Sequence, residues 1–151
     1  MKRILFLTAL GTALIAFAVP ASGSPGSATL VIRHQVRGCH SWALNGGAYK
    51  VFQTIRVHRG GSLVVVNNDV MPHQLIKTSG PAWFVKLIKR GGQMGVPMHG
   101  MGQMSHMGAT VRVTFPAKGT YRLTTKAGED YMEMGETSGE DNVLRATVIV
   151  S

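Results

Sequence analysis

A single cysteine in 151 residues sets the first limit on this chain. With Cys39 alone no internal disulfide can form, so the fold has to be held by its core rather than by covalent staples. Acidic side chains are also few, seven against sixteen Lys and Arg, giving a formal charge of +9. Aromatics make up only 7% of the residues, and no stacking motif accompanies the scattered basic ones. That combination excludes nucleic acid as a partner. No long apolar run with a 3.6-residue period occurs in the body of the chain, which excludes a helical bundle. Nothing near Cys39 resembles an oxyanion or orienting motif, so a Cys–His nucleophile, and with it an enzyme, is not expected.

What is present begins with Lys2-Arg3, an apolar stretch over 4–19 and the small-residue run Val19-Pro20-Ala21. Residues 1–21 read as an export signal, and the Ser/Gly/Pro stretch 22–27 as a flexible lead-in. The apolar stretch is short for a bilayer, so no integral span is expected once the signal is cut; retention as an anchor is the alternative. No cysteine stands at the cut, which argues against a lipoprotein. The expected location is secreted or periplasmic. About 130 residues remain, enough for one domain, placed at 28–151. Without Lys2 and Arg3 the charge is +7, fourteen basic against seven acidic side chains. Such an excess suits an acidic partner protein, a cell-wall polymer or an anionic membrane surface. In an oxidising compartment Cys39 is a buried free thiol, an intermolecular partner or a metal ligand.

The dominant hydrophobic period is two. Strands are predicted over 28–36, 51–58, 63–67, 111–115, 120–125 and 142–150, with turns at Arg59-Gly60-Gly61-Ser62 and Pro116-Ala117-Lys118-Gly119. Residues 83–88 fit either a strand or one helical turn. Short strands at this spacing imply an all-β fold, an antiparallel Greek-key sandwich or barrel whose functional loops cluster at its two ends.

Within 51–75 two strands and a Gly-Gly turn lead into Asn67-Asn68-Asp69-Val70-Met71-Pro72-His73. Phe52, Ile55, Val57, Gly60-Gly61, Leu63, Val65, Asn67, Asp69 and His73 resemble the central two-strand motif of the cupredoxins. The stretch 115–125 is similar to the strand that leads to that family's ligand loop. The resemblance implies a cupredoxin-like domain with copper as cofactor and His73 as a ligand. It also exposes a departure. Where the family has a cysteine two residues beyond the position of Leu123, this chain has Thr125, and no histidine follows; only Met132 and Met134 offer soft donors there.

Two other stretches can supply what is missing. In Arg37-Gly38-Cys39-His40-Ser41-Trp42, Cys39 could bring a thiolate from the connection after the first strand. His40, or less directly His34, could bring a second imidazole. Thiolate, imidazoles and a weak thioether form the donor set of a blue-copper electron-transfer centre. Neighbours in an extended chain point in opposite directions, so Cys39 and His40 compete for the same place. Residues 94–107 hold five Met and two His spaced by Gly and Ser, without strand or helix period. Their thioethers suit copper(I), with Met98, His99, Met101, Met104, His106 and Met107 as candidate donors; the plainer alternative is a loop that covers apolar surface or meets a partner. The chain is therefore expected to be an exported copper-binding protein, transferring electrons through one copper or handling copper(I) with 94–107. An acidic redox or copper-transfer protein is the implied partner. A coupled copper cluster needs several His pairs that are not here.

Overall fold

The computed structural model describes residues 26–35, 40–92, 104, 106–127 and 143–151; the expected signal and lead-in lie almost wholly outside that set. Alternation of buried and exposed side chains builds β4 (Phe52–Val57), β5 (Ser62–Asn68), β8 (Thr110–Thr114), β9 (Gly119–Ala127) and β10 (Arg145–Val150). With β1 (Ser27–His34), β2 (His40–Leu44), β3 (Tyr49–Lys50), β6 (His73–Ser79) and β7 (Phe84–Lys89), the described residues form ten strands and no helix.

They pack as two sheets, ordered β3-β2-β1-β5-β8-β7 and β4-β10-β9-β6. Two pairings are parallel, β1 with β5 and β4 with β10, so both sheets are mixed, whereas the spacing of short strands led to an antiparallel expectation. Period two reports which face is buried and says nothing of strand direction. The ambiguous stretch is strand β7, laddered to β8 from Phe84↔Thr114 onward. The predicted Gly-Gly turn links β4 to β5: Gly60 sits at φ 77°, and a Cβ on Gly61 would lie 2.7 Å from the His58 carbonyl oxygen. Only glycine takes both positions without strain.

The inward stripes of the two sheets make one core. Leu30, Ile32, Trp42, Ile55, Leu63, Val65, Val113, Phe115, Tyr121, Leu123 and Val148 are buried. Phe115 and Tyr121 meet edge to face with centroids 4.8 Å apart. The Tyr121 hydroxyl donates to the Ala117 carbonyl at 2.8 Å, so its polar tip is satisfied. Trp42 is fully buried inside the core.

Candidate metal centre

In four strands the inward phase changes from hydrocarbon to polar toward one end of the sandwich. In β1, Leu30 and Ile32 are followed two residues later by His34; in β5, Leu63 and Val65 are followed by Asn67. In β9, Tyr121 and Leu123 are followed by Thr125, and β2 begins with His40 two residues before Trp42. His34 and His40 are direct cross-strand partners, so their side chains rise from the same face. Parallel pairing sets Ile32 beside Asn67, which brings the loop after β5 over the same end. That loop is folded by its own side chains. The Asp69 amide donates to Asn67 Oδ1 at 3.0 Å, and the Met71 amide donates to Asp69 Oδ1 at 3.0 Å, an Asx-type arrangement that turns the chain into β6. His73 opens β6, and its amide donates to the Met104 carbonyl at 3.0 Å.

Asp69 stands at the centre, and both it and His73 are wholly inaccessible to solvent. Its Oδ2 accepts from His40 Nδ1 at 2.9 Å and from His73 Nε2 at 3.2 Å. His34 Nδ1 lies 3.4 Å from Oδ1, at ion-pair range. The rings of His40 and His73 meet edge to face at 4.6 Å, and those of His34 and His40 at 6.4 Å. One donor atom from each of His34, His40 and Asp69 falls within a span of 4.8 Å; His73 joins them through Asp69. Its Nδ1 is buried with no hydrogen-bond partner among the described residues.

Burial alone would raise the Asp69 carboxyl, but hydrogen bonds from His40 and His73 and from the Met71 amide outweigh it. The carboxyl is held far below the ordinary carboxylate range and is ionised. Burial pushes His73 the other way, below the usual imidazole value; its hydrogen bond to Asp69 opposes this incompletely, and the nearby His40 and His34 add to the depression. The end of the core therefore holds one fixed negative charge surrounded by imidazoles, with His73 neutral. Neutral imidazole and carboxylate are the forms that bind a divalent cation.

One donor atom each from His34, His40 and Asp69 lies close enough to the others to share one metal ion. Imidazole and carboxylate together suit copper(II) or zinc(II) better than copper(I).

Of the candidates read from the sequence, His34, His40 and His73 come together at this end. Cys39, Met98, His99, Met101, Met132 and Met134 lie outside the described residues. Met104 is buried in the hydrophobic core with its backbone bridged to His73. His106 is half-buried and Met107 is 37% exposed. Thr125, in place of the family cysteine, is buried on β9 opposite Leu75. The central carboxylate was missed as a donor, because Asn68-Asp69 reads as a turn. The available signal was a polar group continuing the buried phase of Leu63, Val65 and Asn67.

No known protein family's sequence profile matches the chain, and no curated protein matches it. Among solved structures it is similar to a heme-copper terminal oxidase studied as a dimer by cryo-EM, at 15% identity and TM-score 0.36, over 95% of this chain and 78% of that one. It is similar to a multi-copper oxidase from Pediococcus acidilactici at 15% identity and TM-score 0.40, over 99% of this chain but only 31% of that one. It is similar, too, to the inclusion body protein PixA from Burkholderia cenocepacia J2315 at 6% identity and TM-score 0.43, over 88% of this chain and 100% of that one. All three fall below a TM-score of 0.5, so the two-sheet, all-β architecture stands on strand order and register rather than on these likenesses.

Proposed function

We propose that this protein is an exported, cupredoxin-like copper protein whose mononuclear site is built from His34, His40, His73 and Asp69. One observation carries the reading: a solvent-excluded carboxylate has imidazole nitrogens from three strands at 2.9, 3.2 and 3.4 Å. Imidazoles rooted on β1, β2 and β6 around a buried, hydrogen-bonded carboxylate rearrange little when the charge of a bound ion changes. This is what electron transfer through one copper requires, and hydrogen bonds to the donors, such as that from the Met71 amide to Asp69, would tune its potential. The excess of basic side chains suits an acidic redox partner.

A second reading, copper handling, is favoured by the fastening of Met104, near the end of the Met/His-rich stretch, to the backbone of His73 at 3.0 Å. In that role thioethers of 94–107 take copper(I) and the imidazole site takes copper(II).

Titration of the mature domain with copper(II), followed by calorimetry and electron paramagnetic resonance, tests the site. One equivalent is expected to bind with nitrogen hyperfine structure, and His73→Ala or His40→Ala is expected to weaken binding at least a hundredfold. An intense visible band abolished by Cys39→Ser would add a thiolate to the donors; copper bound without colour assigns the site to imidazole and carboxylate alone. Wild-type protein that takes up no copper would end the proposal.

A further inference from the structure

Asn67 is fully buried, and its side chain is saturated by backbone groups from two separate segments. Its Nδ2 donates to the Met71 carbonyl at 2.9 Å and the Met104 carbonyl at 3.1 Å, and reaches the His106 carbonyl at 3.5 Å. Its Oδ1 accepts from the Asp69 amide at 3.0 Å. The backbone of the same residue is used as well: its carbonyl accepts from Gly108, and its amide donates to Ala109. One side of this staple is the loop that carries Asp69 and leads to His73. The other side is the end of the Met/His-rich stretch, whose Met104 carbonyl also takes the His73 amide.

We infer that Asn67 is the positioning residue of the metal centre: it locks the loop carrying Asp69 to the segment containing Met104 and so fixes where Asp69 and His73 stand. The inference rests on the site proposed above. Asn67 binds no metal in this reading; it acts through Asp69, whose amide it holds, and through Met104, which it shares with His73. An apolar residue would leave the Asp69 amide and the Met71 and Met104 carbonyls buried without those partners, and the loop would have to move to satisfy them. Residues that orient metal ligands from behind cost roughly 10–100-fold in metal affinity when replaced. A displaced Asp69 changes the donor geometry as well as the stability.

A second buried amide provides the control. Gln53, on β4, donates to the Trp42 carbonyl at 2.8 Å and the Ala48 carbonyl at 3.3 Å. It staples the β2–β3 turn and, among the described residues, shares no hydrogen bond with the Asp69 loop or with Met104. If buried amides here serve only stability, Asn67→Ala and Gln53→Ala behave alike. If Asn67 positions the site, they part.

The experiment compares wild type, Asn67→Ala, Asn67→Ser and Gln53→Ala at a temperature where circular dichroism shows each folded. In the metal-free arm, nitrogen-15 shifts of the His73 and His40 rings report tautomer and hydrogen bonding; in the copper(II) arm, affinity and hyperfine coupling are read. Asn67→Ala is expected to bind copper(II) at least tenfold more weakly, with altered hyperfine coupling and changed ring shifts. Asn67→Ser, whose hydroxyl can serve one of the carbonyls, is expected to fall between it and wild type; it carries the test if the alanine variant does not fold. Gln53→Ala is expected to lose stability yet change affinity less than twofold. Ring shifts unchanged in both Asn67 variants, or equal affinity losses for Asn67→Ala and Gln53→Ala, would overturn the inference while leaving the metal site standing. Absence of copper binding by the wild type would instead reject the site itself, and the inference with it.

Discussion

The two ends of this core obey the same alternation and do opposite things. At one end the inward stripe runs through Phe115, Tyr121, Val57 and Val150, all buried hydrocarbon or aromatic surface with a satisfied Tyr121 hydroxyl. At the other it runs into His34, His40, Asn67, Asp69, His73 and Thr125. Five of those six are buried, and His34 is half-buried. The first end follows the transfer of apolar area from water. The second holds a charge out of water, which costs free energy unless every partner is in place. A fold that accepts that cost at one end and not at the other has separated the part held by apolar burial from the part held by a buried charge and its partners.

The largest effect that separates the ends is on stability. Phe115→Ala removes a fully buried ring from the apolar end and is expected to cost about 3–5 kcal/mol. Copper affinity of the folded fraction should stay within twofold of wild type. Denaturant unfolding paired with copper titration checks both; a loss of affinity as large as that of His73→Ala would mean the two ends are mechanically one.

That division was partly legible in the chain. The strands β4, β5, β8, β9 and β10 were readable because each has one wet face, so hydrophobicity alternates. β2 was not, because its first four residues, His40, Ser41, Trp42 and Ala43, are all buried and alternation vanishes. The parallel pairings join residues far apart in sequence, such as Val31 with Val66 and Thr147 with Thr54, and no local pattern encodes them. His73 was legible through its motif. His34 and His40 were readable as candidates but not as a pair, because their meeting depends on the β1–β2 register. Asp69 was hidden for a different reason: in sequence it looks like a turn residue, and it is one, but both its oxygens face inward to the histidines.

A smaller effect tests whether the polar end depends on charge or only on shape. Asp69→Asn keeps the side-chain outline and an oxygen for the Met71 amide, but removes the ionised acceptor shared by His40 and His73. Leaving a buried donor without its acceptor costs about 1–3 kcal/mol, and the metal-free protein is expected to lose an amount in that range. Copper(II) affinity should fall too, since an anionic donor is gone. Chemical denaturation with and without copper separates the two losses. Equal stability of Asp69→Asn and wild type in the metal-free state would show that the carboxylate is not what holds the histidines.

The gentlest test is pH, because folding moves the pKa values of His73 and Asp69, both at the polar end. The His73 pKa is lowered on folding, chiefly by burial. Below about 6.5, the usual value for imidazole, the unfolded chain takes up a proton that folded His73 refuses. The unfolded state then binds more protons, so stability falls as the pH drops through that region. Asp69 works in the same direction at lower pH. Its folded pKa lies below the ordinary value of 3.8, so the stability it contributes is present above that value and is lost as the pH falls toward the folded pKa. Metal-free protein should therefore weaken in two stages on acidification. His73→Leu is expected to remove the first stage, while Phe115→Ala should lower the whole curve without changing its shape. A first stage that survives in His73→Leu would place the titrating group elsewhere, and the contrast between the two ends would no longer rest on that buried imidazole.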